Sequence, residues 1–316
     1  MSMNPPSQDE ELEKRLQAEA TRRQLPVEEL RRLLLVDGLD GAQRLRKQQQ
    51  EAAQAALVAA DYLLITVKDA EHECVAKVAQ DLGITVSKQR GVSGRKYTLF
   101  THNNRRIATE YNLKNMGPDE ATHECLLARA ETQAKSIILV GTAFGIDKDH
   151  NKGDVLLSDG VLPYDERNVH DTESGEWRYQ YRSAVLSAGR FLFGQMIDIQ
   201  KILHTNAQYS FSIHPGILLS GGARIESERY CSLLVSCANI GARIIGGDME
   251  TAAIASIANR MSLNWIAVKG ICDFAEAGRG AYIKEVRLQA ARNAATVVFH
   301  ALSLSASSGV THGHIP

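Results

Sequence analysis

The sequence lacks the features that mark several large classes of protein. Its five cysteines form no Cys-x-x-Cys pair and no zinc-finger spacing. No apolar run approaches the length of a signal-peptide core or of a membrane-spanning helix. The formal net charge of the 316 residues is only −1, so the chain as a whole has no field that attracts nucleic acid. These absences predict a reduced, cytoplasmic protein with neither a membrane nor a nucleic acid as partner.

The first 58 residues differ in composition from the rest of the chain. They are rich in Glu, Arg, Gln, Leu and Ala and contain no strand-like run, which predicts a helical extension. A short helix is expected from Pro26 to Gly38, and a longer one over 40–59. Their weakly apolar faces suit a cap on the main domain or solvated helices, and leave open contact with an oligomer or a regulatory protein partner.

Strand-length apolar runs alternate with segments of helical spacing from Tyr62 onward. The predicted strands cover 63–67, 96–100, 106–111, 136–140, 154–158, 216–220, 243–245 and 265–271. The predicted helices cover 69–79, 119–132, 183–197 and 284–302, with a long surface loop at 165–176. The alternation predicts an α/β domain over 59–303 with three layers, in which helices flank a central twisted mixed sheet. Residues 304–316 are expected to form a mobile tail.

Carboxylates near the end of the chain stand where such a sheet opens its ligand crevice. Asp273 ends an apolar run, where a partly dry carboxylic acid can donate a proton to a leaving group; it is also suited to cap a following helix. Asp248 is expected to cap a helix after a two-glycine turn. Glu250 either interacts favourably with the dipole of that helix or binds sugar hydroxyls, with the adaptable Met249 packed under the sugar ring.

Two further segments follow predicted strands. Glu71 and Glu73 lie after the first strand, where a carboxylate either polarises a water or only decorates a helix start. The segment GTAFG at 141–145 exposes backbone N–H groups and the Thr142 hydroxyl. It lacks both the Lys-Ser/Thr of a Walker loop and the spacing of a dinucleotide fingerprint, so no cofactor is predicted.

Two other patterns have simple alternatives. The tripeptide His-Glu-Cys occurs at 72–74 and at 123–125, but neither copy has a further ligand at metal-binding spacing, so no metal site is predicted. Basic residues cluster from Lys88 to Lys114. They are either solvated loop charges or contacts for a phosphorylated substrate.

Several separated motifs, taken in order, resemble those of the nucleoside phosphorylase and nucleosidase superfamily over 60–302. They are the acidic turn at 71–73, NMGP at 115–118, VGTA at 140–143, KGDV at 152–155, SG at 220–221, DME at 248–250 and KGICD at 269–273. The resemblance, to methylthioadenosine/S-adenosylhomocysteine nucleosidases among others, implies that Glu73 activates water and that Asp273 protonates purine N7. The substrate-binding residues it implies are Glu250, Met249, Thr142, Gly141, Lys269 and Ser220.

The nucleophile can be inferred from what the motifs lack. Phosphorylases of this superfamily hold phosphate with an arginine two residues before the glycine of the Gly-Ser/Thr motif, and here that residue is Leu139. The first loop, 68–73, is acidic and would repel phosphate. Water is therefore the expected nucleophile.

Residues 140–165 look most like the phosphorylase-type effector domains of bacterial immune systems, some of which remove adenine from ATP. The resemblance implies a homo-oligomeric purine N-glycosidase acting on an adenine nucleotide or nucleoside, with a small molecule as its partner. Two alternatives stay open: a housekeeping nucleosidase for methylthioadenosine-like substrates, and an inactive nucleotide-binding sensor. Cys272, Glu276 and Gly222 depart from the usual residues of the family and leave the substrate preference open.

Overall fold

The computed structural model of the chain describes residues 8–23, 26–30, 58–110, 117–206, 208–277 and 283–304. The chain divides into two compact units, Met1–Ala56 and Leu57–Pro316. In the first unit, helix α1 spans Gln8–Arg23, and residues 27–30 are helical after Pro26. Gly38, nearly all of the helix expected over 40–59 and the tail beyond residue 304 lie outside the described residues.

The second unit contains the strands and the remaining helices of the described ranges. The strands are β1 (Tyr62–Ile65), β2 (Thr85–Arg90), β3 (Lys96–His102), β4 (Arg105–Glu110), β5 (Ser136–Gly145), β6 (Val155–Pro163), β7 (Arg167–Asp171), β8 (Trp177–Tyr181), β9 (Leu186–Ser187), β10 (Ile213–Ser220), β11 (Ile244–Asp248) and β12 (Asn264–Asp273). The helices are α2 (Asp69–Asp81), α3 (Pro118–Thr132), α4 (Arg190–Thr205), α5 (Glu228–Cys237), α6 (Thr251–Arg260) and α7 (Ile283–Leu304). None of the described helices is both long enough and apolar enough to cross a membrane.

A mixed sheet forms the centre of this unit, as predicted. Its strand order is β11-β10-β6-β12-β5-β1-β4-β3-β2, with β9 paired to β6. The middle strands β1, β5 and β12 run parallel and are buried on both faces, because helices cover both sides of the sheet. Helices α2 and α4 pack on α7 in one layer, and α3 packs on α6 in another.

A glycine pair lets the sheet fold back on itself. Strand β11 pairs antiparallel with the end of β5, Gly246 opposite Gly145 and Gly247 opposite Phe144. A Cβ atom on Gly246 would lie 2.2 Å from the carbonyl oxygen of Phe144, so only glycine permits this approach. The two glycines predicted as a turn are therefore strand residues, and their small size brings Asp248 back toward the end of β5.

The prediction of a long surface loop at 165–176 is wrong. Strands β7 and β8 form a hairpin there, in register from Arg167–Tyr181 to Asp171–Trp177. Strand β8, with the sequence WRYQY, alternates aromatic and polar residues, whereas β7 is largely exposed and polar and carries no apolar alternation that reveals it in the sequence. Strand β2 escaped prediction for the same reason, since it is a largely exposed edge strand.

Candidate active site

The carboxyl ends of β1, β5, β11 and β12 surround one open cleft. Strand pairing aligns Ile65 with Leu139, and Thr142 with Gly270, so the residues that follow these positions emerge at the same edge. Counted with its open mouth, the cleft encloses about 620 Å³. The predicted site residues that line it are Asp273, Glu250, Met249, Thr142 and Lys269. The sequence motifs therefore do converge, although they are separated by up to 131 positions, from residue 142 to residue 273.

Glu71 is the carboxylate that the first strand-to-helix turn presents to the cleft. Its side chain is buried, and its Oε1 accepts hydrogen bonds from the Thr142 N–H and the Thr142 hydroxyl, both at 3.0 Å. Its Oε2 accepts the N–H of Val67 at 3.0 Å and of Lys68 at 3.3 Å. Four donors thus fix the position of this carboxylate.

Glu73, the predicted water-activating residue, does not lie in the cleft. Its side chain is exposed on α2 and is absent from the cleft lining. Two residues along an α-helix correspond to a turn of about 200°, so Glu71 and Glu73 face nearly opposite directions. Both acids satisfy the sequence pattern, and only the start of the helix at Asp69 decides which one faces inward. The residue in position for the predicted role is Glu71.

Gly141 and Ser220, predicted to bind substrate, support the cleft without lining it. A Cβ atom on Gly141 would lie 2.8 Å from Glu71 Oε2, so the glycine makes room for that carboxylate. The buried Ser220 hydroxyl accepts the N–H of Ala252 at 3.0 Å and satisfies a donor in the first turn of α6.

A buried ion pair lies at the floor of the cleft. Lys269 Nζ is 2.9 Å from Asp248 Oδ2, and the side chains are only 1% and 2% exposed. Asp248 Oδ1 also accepts the N–H of Thr251 at 3.1 Å, so it holds the start of α6 as the sequence suggested. Burial disfavours the charge on Asp248, but the adjacent Lys269 ammonium outweighs it and keeps the pKa of Asp248 below its ordinary value.

Glu250 lies beside this pair and is nearly as buried. Burial, and then the negative charge of Asp248, raise the pKa of Glu250 to about 7. Its Oε1 accepts the N–H of Gly117 at 3.1 Å, from the end of the motif NMGP, whose first two residues lie outside the described ranges. Helix α6 begins at Thr251, so Glu250 precedes the first turn, and its side chain makes no capping hydrogen bond. Its carboxyl group is thus turned to the cleft rather than to the helix.

Asp273 ends β12 at a break in the strand register. Ile271 pairs with Ala143 and Asp273 with Phe144, so Cys272 is an extra residue that turns the aspartate into the cleft. Asp273 Oδ1 accepts the N–H of Ala275 at 3.0 Å, which makes a tight turn rather than a helix cap. The Cys272 thiol donates to Asp273 Oδ2 at 3.1 Å; burial, and then the charge of Asp273, raise the pKa of this thiol to about 12.

The lining includes side chains that the motifs did not indicate. Phe144 and Ile225 supply apolar surface, Arg224 pairs with Glu226 at 2.6 Å, and Arg287 reaches the cleft from α7. Arg287 lies in a helix of otherwise ordinary amphipathic composition, and no local signal distinguishes it from a solvated arginine.

The basic segment suspected of contacting a phosphorylated substrate lies elsewhere. Arg95 is held between Glu110 and Glu124, each at 2.7 Å, and Arg105 donates to the Tyr62 hydroxyl at 3.0 Å. None of the described residues of this segment lines the cleft, and Lys114 lies outside the described ranges. The two His-Glu-Cys copies also lie apart from the cleft. Across the described ranges, no group of three or more His, Cys, Asp or Glu side chains is placed to hold a metal ion.

Comparison with known proteins adds relatives of this fold. A 5'-methylthioadenosine/S-adenosylhomocysteine nucleosidase of Haemophilus influenzae (strain PittGG) is 25% identical over 165 residues. That alignment covers 51% of the chain and 66% of the relative, just under two thirds of its length.

Solved structures match over a larger share of the chain. The 5'-methylthioadenosine/S-adenosylhomocysteine nucleosidase of Neisseria meningitidis, crystallised with methylthio-immucillin-A, has a TM-score of 0.62 at 16% identity, covering 77% of this chain and 98% of that one. Futalosine hydrolase of Helicobacter pylori strain 26695 has a TM-score of 0.62 at 15% identity, covering 77% and 97%. At these identities the likeness is one of fold. Residues 62–303, most of the chain, match the sequence model of the phosphorylase superfamily, and the chain belongs to that family.

Proposed function

We propose that the chain hydrolyses the N-glycosidic bond of a purine nucleoside or nucleotide, with adenine as the base. The observation that carries the proposal is the convergence of Glu71, Glu250 and Asp273 in one cleft. Breaking the bond between base and ribose places positive charge on the sugar and negative charge on the base. Carboxylates near the sugar and an acid near the base lower both costs.

Asp273 is the proposed acid. As the bond between C1′ and N9 breaks, its electron pair moves to the base, and Asp273 delivers a proton to N7. The turn that holds Asp273 Oδ1 leaves the carboxyl group directed into the cleft, and Phe144 provides an apolar surface beside it. The product is then the neutral purine rather than its anion, which is a far better leaving group.

Glu71 is the proposed base for the attacking water. The water oxygen bonds to C1′ while the Glu71 carboxylate takes one proton from the water. Exchange with solvent then removes this proton from Glu71 and returns one to Asp273 before the next turnover. The four hydrogen bonds to Glu71 hold the carboxylate in place before substrate arrives, which is the preorganisation that such a step needs. Glu250 and Met249 form the proposed ribose site, with Glu250 accepting from the sugar hydroxyls.

Two features of strand β5 and its surroundings favour hydrolysis over phosphorolysis. Leu139 is fully buried in the sheet, so no cation occupies the position where phosphorylases of the family carry an arginine. A carboxylate at the point of attack, Glu71 beside Thr142, also disfavours a phosphate dianion there. Both features support water as the nucleophile.

The likeness of residues 140–165 to immune effector domains supports a cellular role in depleting adenine nucleotides during phage infection. The unit Met1–Ala56 would then serve assembly, regulation or contact with an activating protein, and the nucleosidase-like unit would act within a homo-oligomer. Expression of the wild-type chain and of the Asp273→Asn variant in phage-challenged cells tests this role. Loss of ATP and protection from phage are expected only with the wild-type chain, and equal phage yields from both strains would contradict it.

The reaction is tested with purified protein and a panel of substrates. ATP, AMP, adenosine and methylthioadenosine are incubated without phosphate, and free adenine is measured by chromatography. Release from at least one substrate is expected, and its absence from the Asp273→Asn protein purified in parallel excludes a contaminating nucleosidase. No release from any substrate, or release only after phosphate is added, refutes hydrolysis. A strong preference for methylthioadenosine selects the housekeeping alternative.

A further inference from the structure

A side pocket opens from the cleft next to Glu71 and Thr142. Three cationic residues from two separate elements line it: Lys68 before α2, and Lys284 and Arg287 in the first turns of α7. Lys68 and Arg287 line the main cleft as well, so the two spaces adjoin. Lys284 and Arg287 are three residues apart on the helix and therefore present their side chains on the same face.

The positive charge of this side pocket is not consumed by protein carboxylates. Glu71 is the only acidic residue among the described residues that line it, and four N–H and O–H donors already satisfy that carboxylate. Within the described ranges, Lys68, Lys284 and Arg287 form no ion pair. Three cations therefore meet at a pocket with a single carboxylate among its described lining residues, which leaves a net positive charge there.

The Arg287 side chain carries a second sign of a missing partner. Its Nε atom is buried and has no hydrogen-bond partner among the described residues. An unsatisfied buried donor is costly, and the guanidinium group suits the oxygens of a phosphate better than any other side chain does. Since Arg287 lies between the side pocket and the cleft, a phosphate there would belong to a molecule that occupies both.

We propose that Lys68, Lys284 and Arg287 form a subsite for the phosphate group of a phosphorylated nucleoside. The inference rests on the proposed function and specifies its substrate class: a nucleotide, whose sugar and base occupy the cleft while its phosphate occupies the side pocket. It replaces the segment from Lys88 to Lys114 as the source of the cations. The shared chemistry is a phosphate dianion, carried by the substrate rather than supplied free as a nucleophile.

The test compares AMP with adenosine as substrates of the full chain. The measured quantity is the ratio of kcat/KM for AMP to kcat/KM for adenosine. Because charge-assisted hydrogen bonds to phosphate are lost, this ratio is expected to fall about 10-fold in Lys284→Met and about 100-fold in Lys284→Met/Arg287→Met. Lys201→Met, which removes an exposed charge from α4, is the matched control and is expected to leave the ratio unchanged.

The outcomes separate the subsite from the reaction. Turnover of both substrates with an unchanged ratio in the variants overturns the subsite and leaves hydrolysis standing. Ribose 1-phosphate formed from adenosine and added orthophosphate assigns the cations to a free nucleophile, which also overturns the inference. If no substrate is cleaved, the proposed function fails, and equilibrium dialysis of AMP and adenosine decides on the subsite. Tighter binding of AMP that the double variant abolishes supports it; equal binding of AMP and adenosine ends it.

Discussion

Thr142 donates two hydrogen bonds to one oxygen of Glu71, from its backbone N–H and its hydroxyl, each 3.0 Å long. The pair links the first turn of α2 to the neighbouring strand β5 and directs the Glu71 carboxylate to the cleft. Residue Glu73, two positions later, is exposed and takes no part. This geometry separates two acids that the sequence alone presents as equivalent.

Replacing each of these acids by its amide therefore has opposite results. Glu71→Gln is expected to lower kcat by about 100-fold or more, because the proposed base is lost and the new amide N–H₂ opposes the donors of Thr142. Glu73→Gln is the matched control, with kcat within about twofold of wild type. Steady-state adenine release measures both. A large loss of kcat in Glu73→Gln, with a near-normal kcat in Glu71→Gln, would assign the role of base to Glu73, as the family resemblance implies.

Removal of the proposed acid should affect chemistry and spare the fold. Asp273→Asn is expected to lower kcat by about 10²- to 10⁴-fold, the range typical of general acids, while the melting temperature changes little. Asp159→Asn, an exposed position on β6, serves as the isosteric control. Circular dichroism and thermal melting accompany the kinetics. Wild-type turnover in Asp273→Asn would remove this residue from the mechanism.

The raised pKa of Glu250 predicts a pH dependence of stability. In the folded chain Glu250 holds its proton up to about pH 7, whereas an unfolded glutamate loses it near its ordinary value of 4.5. Its stabilising contribution is therefore complete below pH 4.5 and is lost as the pH rises through 7, by about 3 kcal/mol in all. Urea unfolding of wild type and Glu250→Gln from pH 4 to 8 measures the difference. Parallel curves for the two proteins would contradict the shift.

The same carboxyl group should set the pH dependence of substrate capture. Sugar hydroxyls donate best to the ionised form, so kcat/KM is expected to rise with pH and to level off above about pH 7. Glu250→Gln should reduce kcat/KM and remove that inflection, since glutamine does not titrate. The profile is measured with adenosine, which has no phosphate whose own titration would interfere. An inflection that persists in Glu250→Gln would assign it to another group.

The ion pair of Lys269 and Asp248 should behave as a unit. Lys269→Met leaves a buried, unpaired carboxylate and is expected to lower the free energy of unfolding by about 3–5 kcal/mol. Asp248→Asn/Lys269→Met removes both charges and should recover most of that loss. Lys77→Met provides the comparison, because its pair with Asp81 is about half exposed and contributes at most about 1 kcal/mol. Equal losses at the two lysines would show that burial does not govern the pair.

The site could be predicted from the sequence where strand ends determine it. Asp273, Thr142 and Lys269 lie in or at the ends of long apolar strands, and parallel neighbours bring such residues to one edge. The choice between Glu71 and Glu73 depends instead on the rotation of a helix whose first turn is acidic at several positions. The role of Gly246 depends on a contact with Phe144 about a hundred residues away, which no local pattern records.

The side pocket was the feature of the site that the sequence predicted least. Lys68, Lys284 and Arg287 come from distant parts of the chain and belong to no motif. The cluster from Lys88 to Lys114 was more conspicuous because its members are close in sequence, yet Arg95 pairs with Glu110 and Glu124 away from the cleft. Density of charge along the chain is thus a poor guide to charge at a cleft, since the fold brings together residues from distant parts of the chain.

The close approach at Gly270 fixes the spacing of two cleft residues on different elements. A Cβ atom there would lie 2.1 Å from the carbonyl oxygen of Ala290, so strand β12 and helix α7 touch backbone to backbone. Asp273 and Arg287 each lie three residues from that contact, one on the strand and one on the helix. The contact therefore fixes the distance between Asp273 and Arg287 across the cleft, and a methyl group at position 270 would change that distance.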